Sequence, residues 1–561
     1  MDVLDCDVLV IGGGGAGVTT AVAAAEKGAR VMLASKEPIG YGNTKLIGGV
    51  IAILPREEGA QEAFLKDIAE SAEGINDEEI SKVLVDGCVR LRDILEDKIG
   101  VFLGRDEEGN FPSKAVIKAG GHSQARSLII PGKGQALSLS LRGATVKFGV
   151  NILNDSVAAS LLCHEGKVKG AVFLDAKKGK TYAVLSKAVV LATGGCCWLY
   201  YPFTDVSRAT TGDGMSLALR AGIELRDMEQ IQFIPFGITY PKSMTGILCG
   251  EPYTAGPRGK LLNKDGEEVL SDVWRKTRAE VSKAIILEAK KGNSGPHGGL
   301  FLDLKDNKDD PEGAFIYEQY TKGGLRDLGE VVRFSYGEKA FHWDEPWEVY
   351  PTAHYSMGGV RVEKDGRTST AGLWAVGEVT GGLHGANRLG SVSLTDIFVL
   401  GSLCGKNIAE EIDGQSDPQV PTEVISEEFE KVESLRGRQG NYGPKELLRR
   451  LQDVMWEKVG PLRDGNRLEE ALSEIRELGE QAGDIRVPPY RACNIPWRDA
   501  LELRSMLDLA ECTALSALLR KESRGSHLRT DYPSRDDNNW LRSIFVNQKK
   551  EGEIRADARS I

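Results

Sequence analysis

The chain has 561 residues, of which 41% are hydrophobic and 27% charged, and its formal net charge at pH 7 is -11. A chain of this length is too long to fold around one ordinary hydrophobic core, so we expect roughly two to four structural units. The acidic balance argues against a nucleic-acid partner or an anionic-membrane surface, because either would favour clustered lysines and arginines.

The first residues, MDVLDCDVLVIGG, carry acids where a secretory signal would carry bases. We find no apolar run of the roughly 18 residues that a membrane span requires. We therefore expect a cytoplasmic protein with no direct membrane span, associated with a membrane only through partner subunits. The nine cysteines include no CxxC pair, so we assign no zinc site, iron–sulfur cluster or other metal ligand within the chain.

The amino-terminal residues predict a strand, a glycine turn, a helix and a second strand. DVLVI at residues 7–11 is followed by GGGGAG, by the alanine-rich VTTAVAAAEKG and by ARVMLAS. Gly12, Gly14 and Gly17 satisfy the GxGxxG pattern, in which missing side chains allow a tight turn and close approach of a pyrophosphate. Ser35 and Lys36 end the second strand, where an acidic ribose ligand is usual, so flavin and nicotinamide nucleotides both remain open at this point.

Two later apolar segments that end in glycine favour a flavin. They are AVVLATGG at residues 188–195 and GLWAVGE at residues 372–378. This arrangement resembles flavoproteins of the two-dinucleotide-binding type, in which one nucleotide-binding domain is interrupted by an insertion. A separate nicotinamide domain would need a second GxGxxG after a strand, and the sequence contains none that we can identify.

The predicted fold is α/β: a Rossmann-like FAD-binding domain with an inserted α+β capping domain and a C-terminal helical bundle. Four segments near the C-terminal end, beginning with ISEEFEKVESL, carry apolar residues at helical spacing. The predicted boundaries are 1–239 for the first part of the FAD-binding domain, 240–345 for the capping domain, 346–411 for the second part of the FAD-binding domain, 412–540 for the helical domain, and 541–561 for a polar tail or docking arm.

Nine motifs occur in an order that resembles the flavoprotein subunits of succinate dehydrogenase and fumarate reductase. They are GGGGAG, GNTKLIGGV, GGHSQAR, ATGG, TTGDGMSLALRAG, PTAHYSMGGV, GLWAVGE, HGANRLGSVSL and ESRGSHLRTDYPSRDD. L-aspartate oxidase and the alpha subunit of adenylylsulfate reductase are more distant relatives. The resemblance extends from residue 5 to about residue 542 and implies an FAD cofactor.

The resemblance also implies where FAD lies. The pyrophosphate is expected at the first glycines, the adenosine near Ser35 and Lys36, the ribityl chain near Asp213 and Glu378, and the pyrimidine edge near Ser393. The full set of cofactor-binding residues implied is Gly12, Gly14, Gly15, Ala16, Gly17, Ser35, Lys36, Asn43, Thr44, Gly48, Gly49, Ala192, Thr193, Gly194, Asp213, Tyr355, Gly377, Glu378, Arg388, Ser393 and Leu394.

We expect the FAD to be bound non-covalently. Membrane-bound relatives attach the flavin to a histidine before the glycine pair of GNTKLIGGV, but here Gly42 or Asn43 occupies that place. The first histidine of the chain is His122. His122 and Arg126 of GGHSQAR either approach the cofactor or close a loop, and the sequence leaves both open.

His354, taken alone, has the pattern of a core histidine that bonds to nearby backbone. The resemblance implies instead that His354 and Arg388 hold a substrate carboxylate beside the flavin ring. A guanidinium suits a carboxylate, and withdrawing electrons from the adjacent carbon–carbon bond favours hydride exchange with flavin N5.

The rest of the expected site departs from the family. Relatives carry FHPTG, with a histidine for a second carboxylate, whereas this chain has Ile234 and Phe236 in FIPFG. Relatives then carry TEGCRGEGG, whose arginine is expected to donate the proton. Here Glu251 persists and Arg258 is the candidate donor, although a count from the other side puts Thr254 in that place. We therefore expect a substrate with one carboxylate-like end and an apolar or bulkier other end.

The function predicted is an FAD-dependent oxidoreductase subunit that acts on a carbon–carbon bond next to a carboxylate, with His354, Arg388, Arg258 and Glu251 as the catalytic candidates. The resemblance implies that the partner is an iron–sulfur protein subunit. Two alternatives remain open: an electron-transfer flavoprotein subunit with a vestigial dicarboxylate site, and adenylylsulfate-reductase-like chemistry.

Overall fold

A computed structural model describes residues 2–105, 107, 111, 115–549 and 552–561. Numbered in chain order over these residues, the strands are β1 (Asp2–Ile11), β2 (Val31–Ala34), β3 (Val50–Ala52), β4 (Val116–Ile117), β5 (Ser127–Ile129), β6 (Asn151–Leu153), β7 (Ser156–His164), β8 (Lys167–Asp175), β9 (Lys180–Leu191), β10 (Leu225–Arg226), β11 (Ile231–Ile238), β12 (Leu248–Gly250), β13 (Lys260–Leu262), β14 (Glu268–Leu270), β15 (Leu300–Asp303), β16 (Trp347–Ser356), β17 (Gly359–Arg361), β18 (Leu373–Ala375), β19 (Thr380–Gly381), β20 (Arg542–Gln548) and β21 (Ile554–Ser560).

The α-helices of the same residues are α1 (Gly15–Glu26), α2 (Asn43–Leu46), α3 (Ala60–Ser71), α4 (Glu78–Gly87), α5 (Leu91–Asp93, continued by a π-helix over Ile94–Ile99), α6 (Lys133–Lys147), α7 (Asp213–Arg220), α8 (Arg278–Lys290), α9 (Pro311–Thr321), α10 (Arg326–Tyr336), α11 (Glu338–Phe341), α12 (Val392–Glu411), α13 (Thr422–Glu433), α14 (Pro444–Val459), α15 (Gly465–Gln481), α16 (Ile495–Leu519) and α17 (Asp537–Trp540).

The nucleotide-binding domain is built on a 7-stranded sheet with the order β6-β2-β1-β9-β8-β7, in which β18 also pairs with β9. Both faces of its centre are buried, which explains the unbroken apolar run in β1. Val8 and Val10 belong to the apolar cluster beneath α1 and α12. Leu9 and Ile11 belong to the opposite cluster, which includes residues of α14, α15 and α16.

The sheet confirms that the nucleotide-binding domain is interrupted. β18 lies parallel to the end of β9, with Leu373 opposite Val189 and Ala375 opposite Leu191. The chain therefore returns to the strand that it left before the capping domain began. The predicted α/β class, with a Rossmann-like nucleotide-binding domain and a C-terminal helical domain, is confirmed.

Helix α12 packs closely on α1. At Gly405 an added Cβ would overlap the carbonyl oxygen of Thr20, so glycine is needed for this close approach. Among the described helices, α12 is the one that is long and apolar enough to span a bilayer by length and composition alone, and 61% of its apolar window is buried inside the fold.

The capping domain contains an antiparallel 6-stranded sheet with the order β12-β11-β16-β15-β13-β14. Its central pair, β11 and β16, reaches into the nucleotide-binding domain, where Ile231 lies opposite Ser356. The predicted boundaries at 240 and 346 therefore separate β11 and β16 from the other four strands of this sheet, although the sheet is continuous. This continuity lets β16 carry His354 from the capping sheet to the site.

Helices α13 to α16 occupy the four segments that their apolar spacing predicts. Two contacts, one of them fully buried, fix this region to the nucleotide-binding domain. Arg520 Nε donates to Glu229 Oε1 at 2.7 Å, and the backbone N–H of Gly525 donates to Glu73 Oε1 at 3.0 Å. The charged motif ESRGSHLRTDYPSRDD lies at this junction.

The predicted tail over residues 541–561 is wrong. The described part of this segment forms the hairpin of β20 and β21. β20 also pairs with β10, where Phe545 lies opposite Arg226, and Ile544 and Val546 are fully buried. The polar character that suggests a tail belongs to β21, in which Arg555 and Asp557 are exposed while Ala556 and Ala558 pack against the core.

Replacing Ile544 tests this hairpin. We expect Ile544→Ala to lower the free energy of unfolding by about 2–4 kcal/mol, because it leaves a cavity in the core. Arg542→Ala, on the same strand but exposed, should change it by less than about 0.5 kcal/mol. Urea unfolding followed by tryptophan fluorescence provides the measurement. Equal effects of the two substitutions would show that β20 is not part of the cooperative core.

Candidate active site

The glycine turn after β1 forms an open cradle at the start of α1. An added Cβ at Gly17 would overlap the carbonyl oxygen of Gly12, so the helix lies directly against the strand end. At Gly14 the nearest atom to an added Cβ, Thr44 Oγ1, is 3.6 Å away, which leaves that side free. The first turn of a helix presents N–H groups without intrahelical partners, and a pyrophosphate fits this place.

Gly377 and the segment Ala192 to Gly194 border the same turn. The N–H of Ala192 donates to Ile11 O at 2.8 Å, and Thr193 Oγ1 accepts from the N–H of Gly214 at 3.2 Å. Gly377, at φ +78°, approaches Ala16 so closely that a side chain would not fit. These residues bring the ends of β9 and β18 to the glycine cradle.

Lys36 and Asp213 form one buried cluster. Lys36 Nζ lies 2.7 Å from Asp213 Oδ2 and 3.2 Å from Glu502 Oε1. Ser35 Oγ donates to Glu37 O at 2.6 Å. The resemblance places Lys36 near the adenosine and Asp213 near the ribityl chain, whereas the structure brings the two side chains together.

Glu378 and Asn43 meet on the inner side of the cradle. Asn43 Nδ2 donates to Glu378 Oε2, and the N–H of Ser356 donates to Glu378 Oε1, both at 3.1 Å. Burial raises the pKa of the Glu378 carboxyl group. Asn43 Oδ1 accepts from the N–H of Ser207 at 2.9 Å. The Asn43 amide is hydrogen-bonded through both its nitrogen and its oxygen, and an amide is not a nucleophile that could form a covalent bond to flavin.

The turn before α12 is braced by a buried network. Ser391 adopts a left-handed φ of +62°. His122 Nε2 lies 2.9 Å from Gly390 O, and Arg126 pairs with Asp67. Burial lowers the pKa of His122 to about 4, so the neutral ring donates from Nε2 to that carbonyl. His122 and Arg126 therefore close a loop, which is one of the two roles that the sequence leaves open.

A cleft of about 610 Å³ lies between the capping and nucleotide-binding domains. Of the sequence-predicted residues, those that line it are Asn43, Thr44, Gly48, Gly49, Glu251, His354, Tyr355, Glu378, Arg388, Ser393 and Leu394. Both parts of the nucleotide-binding domain and the capping domain thus contribute to one cleft. The cleft meets the inner end of the glycine cradle at Asn43 and Glu378.

Arg388 is a buried cation at the cleft. Its side chain lies 4.7 Å from the centre of the Tyr355 ring, and Nη1 donates to Ser393 Oγ at 3.2 Å. The residue is 3% exposed, and Nε has no hydrogen-bond partner among the described residues. Burial, followed by the nearby Arg278, lowers the pKa of Arg388 to about 10, so it stays protonated at neutral pH.

His354 faces Asp205, a residue that sequence reasoning missed. His354 Nδ1 lies 2.8 Å from Asp205 Oδ2. A carboxylate only accepts, so Nδ1 donates and Nε2 is the nitrogen left for the cleft. Asp205 follows the ATGG strand in a loop with no motif of its own, so the sequence carries no signal for this pair.

The prediction that Arg258 is the arginine of the site is wrong. Its side chain is 66% exposed, lies 3.8 Å from Asp310 and does not line the cleft. Arg278 lines it instead and pairs with Glu251, with Nε donating to Glu251 Oε2 at 2.8 Å. Thr254, the other candidate by count, lines the cleft but has no cationic group.

Helix capping explains the position of Arg278. Thr277 and Glu280 form a capping box at the start of α8, which sets Arg278 as the first helical residue. Gln232 on β11 then holds it, since Arg278 Nη1 donates to Gln232 Oε1 at 2.9 Å. Gln232 Nε2 in turn donates to the carbonyl oxygen of Arg388 at 2.9 Å. The TRAE motif could have indicated this arginine, whereas the role of Gln232 has no sequence signal.

Ile234 and Phe236, which replace the family's histidine and threonine, are fully buried in β11 and do not line the cleft. They supply no polar group there. Two apolar walls face each other across the outer cleft. One consists of Leu46, Ile47, Ile117 and Ile129 from the nucleotide-binding domain, and the other of Phe315, Ile316, Leu325, Leu328 and Val331 from the capping domain.

Comparison with known proteins agrees with this arrangement. Residues 7–394 match the family described as FAD binding domain, and residues 448–561 match fumarate reductase flavoprotein C-term. The chain is 34% identical to a fumarate reductase (CoM/CoB) subunit of Methanothermobacter marburgensis over 99% of both chains. A chain of a solved quinol-fumarate reductase with menaquinol molecules has a TM-score of 0.89 at 27% identity, covering 100% of this chain and 99% of that one.

Adenylylsulfate reductase from Archaeoglobus fulgidus is also similar in structure, with a TM-score of 0.81 over 100% of this chain and 96% of that chain. Its identity of 19% shows a shared fold alone.

Acid denaturation tests the mode of flavin binding. Because the Asn43 amide is not a nucleophile, all FAD should be released when the purified protein is precipitated with acid. The flavin absorbance of the supernatant should equal that of the native protein after correction for free FAD. Flavin fluorescence that stays with the denatured polypeptide on a gel would contradict non-covalent binding.

Proposed function

Because the chain belongs to the family of flavoprotein subunits of fumarate reductase and succinate dehydrogenase, we propose that it forms or reduces a carbon–carbon double bond next to a single carboxylate. The observation that supports this most is the buried Arg388 guanidinium, which has a free Nε and no carboxylate partner in the described part of the chain. We further propose that the other end of the substrate is apolar, so that fumarate and succinate themselves are poor ligands.

FAD fits the groove that runs from the glycine cradle to the cleft. The open side of Gly14 would hold the pyrophosphate, Glu378 and Asn43 would hold the ribityl chain, and the turn at Ser391 would lie at the ring. When bound, FAD supplies hydride exchange at N5. The chain's own residues must then bind the substrate, polarise it and move a proton.

Arg388 is suited to bind and polarise the carboxylate. A guanidinium offers two parallel N–H donors to a carboxylate, and in a buried site such bonds are stronger than in water. Withdrawing electron density from the carboxylate makes the neighbouring double bond a better hydride acceptor. His354 Nε2 lines the same cleft and would fix the orientation of the substrate.

Arg278 is the side chain that we propose as the proton carrier in place of Arg258. Reduction of the double bond requires one proton at a substrate carbon. Arg278 enters the cleft from the capping domain, and Glu251 accepts from its Nε at 2.8 Å. Glu251 can therefore return a proton to Arg278 from the cap side.

The apolar walls support the proposal that the other end of the substrate is apolar. Ile234 and Phe236 provide no cation for a second carboxylate. A charged group left without a partner in a desolvated pocket costs on the order of 1–3 kcal/mol or more. The facing apolar side chains, Phe315 and Leu328 among them, would instead favour an alkyl or aryl group.

The partner and the cellular location are also proposals. The names of the relatives identify them as subunits, which supports a subunit role for this chain. An iron–sulfur protein as electron partner, and a cytoplasmic place with membrane association only through partners, follow from the family resemblance. The Nε of Arg388, which has no hydrogen-bond partner among the described residues, favours a working site over the vestigial site of an electron-transfer subunit.

A panel of unsaturated acids tests the proposed function. Under anaerobic conditions, dithionite-reduced protein should be reoxidised faster by crotonate, 2-octenoate or cinnamate than by fumarate, as followed by flavin absorbance. Failure of every acid to reoxidise the flavin would overturn the proposal. Faster reoxidation by fumarate than by every monocarboxylate would overturn the proposal that fumarate is a poor ligand.

The same assay shows whether Arg278 or Arg258 carries the proton. Arg278→Gln should lower the rate with the best acid by about 10²-fold or more, since it removes the proton carrier. Arg258→Gln is the matched control and should change it less than about twofold, because surface substitutions have small effects. The reverse ranking would restore Arg258 as the arginine of the site.

A further inference from the structure

Asp396 is a buried acid for which the proposed function assigns no task. It is the fifth residue of α12, it is 2% exposed, and its Oδ1 has no hydrogen-bond partner among the described residues. The free N–H groups and the positive end of a helix act within the first turn, so they do not stabilise a carboxylate at this position. A buried carboxyl group without donors is more stable with a proton bound.

The neighbours of Asp396 place it beside the groove that FAD fits. Ser393 and Ile397 of the same helix line the cleft. Ile397 also lies against the glycine cradle, where an added Cβ at Gly15 would overlap its side chain. A charge that appears on the bound cofactor therefore acts on Asp396 through a protein interior in which electrostatic interactions are stronger than in water.

The titratable groups that face Asp396 come from two other elements. They are Glu378, in the turn after β18, and Tyr355 of β16. Burial, and then the negative charge of Glu378, raise the pKa of Asp396 to about 7. Burial, and then Asp396, raise the pKa of Tyr355 well above its usual value, so the phenol stays protonated.

The other elements packed against α12 add no charge near Asp396. The buried residues of α1 and α4 and the whole of β3 include no titratable side chain. Cys88, in the turn between α4 and α5, is neutral because burial raises its pKa to about 12. Glu378 and Asp396 are thus the two acids whose protonation can respond to the cofactor from this side.

Hydrogen bonding distinguishes these two acids. Glu378 accepts from the N–H of Ser356 and from Asn43 Nδ2, both at 3.1 Å. Donors to a carboxylate favour its charged form. Asp396 Oδ1 lacks such a donor among the described residues, so a further negative charge in this region favours proton binding at Asp396.

We propose that Asp396 is a proton-binding site linked to the redox state of the flavin: its carboxylate binds one proton from water when the flavin is reduced and releases it when the flavin is reoxidised. Two electrons from an electron-transfer partner and one proton leave the reduced ring with one negative charge. The second proton forms an O–H bond on Asp396, so the summed charge of ring and carboxyl group stays constant. This inference requires bound FAD but no organic substrate, so it is independent of the proposed function.

The midpoint potential of the FAD-loaded protein, measured against pH by spectroelectrochemistry without organic substrate, tests this proposal. Above about pH 7, where Asp396 is ionised in the oxidised protein, the potential should fall with the slope of two protons per two electrons. Below about pH 7, where Asp396 is protonated in both redox states, the slope should halve. A second proton bound by the ring itself would give the opposite order, with the steeper slope at acidic pH.

Asp396→Asn should show the slope of one proton per two electrons above about pH 7. Asp175→Asn is the matched control and should keep the wild-type profile. Asp175 is a buried aspartate at the end of β8 that accepts from two backbone N–H groups and does not line the cleft. If Asp396→Asn does not retain FAD, Asp396→Ser, which also removes the carboxyl group, should give the same one-proton slope.

Infrared difference spectra of the wild-type protein provide a second measurement. Reduction at about pH 8 should produce the C=O band of a protonated carboxyl group. Absence of this band, or a wild-type slope of one proton over the whole range above about pH 7, would overturn the proposal. A two-proton slope that persists in Asp396→Asn or Asp396→Ser would also overturn it, because another group would then bind the proton. None of these results depends on whether an unsaturated acid reoxidises the flavin.

Discussion

Arg388 carries a buried positive charge that forms no ion pair with a carboxylate of the described residues, and the rest of the site is arranged around that charge. Removing an ion from water costs several kcal/mol even after the protein relaxes. A fold retains such a group when a ligand completes it. The aromatic face of Tyr355 and the hydroxyl of Ser393 stabilise the guanidinium in part, and a free Nε remains for an anion.

Distant parts of the chain meet at this charge because of how the sheets are connected. β18 returns to the nucleotide-binding sheet after the capping domain, and α12 then places Ser393 beside Arg388. β11 and β16 run from one domain to the other, so Gln232 links the carbonyl oxygen of Arg388 to the guanidinium of Arg278.

The sequence is sufficient to predict features that depend on the local pattern of residues. Spacing and residue type predict the glycine turn before α1 and the four C-terminal helices. Three features that depend on contacts between distant segments are not predicted. Arg258 lies near Glu251 in the chain, whereas the contact with Glu251 is made by Arg278, which a helix cap directs into the cleft. Asp205 can be recognised only when its loop is seen packed against β16. The hairpin of β20 and β21 resembles a tail because charged residues alternate with small ones along β21.

A crystal structure of the FAD-loaded protein with bound butanoate would test the central claim most directly. The carboxylate should lie within hydrogen-bond distance of the Arg388 guanidinium, with the alkyl end directed toward the apolar walls that include Phe315 and Leu328. A carboxylate bound at Lys276 or Arg258, with the Arg388 Nε still without a partner, would contradict the assignment of Arg388 as the group that the substrate completes.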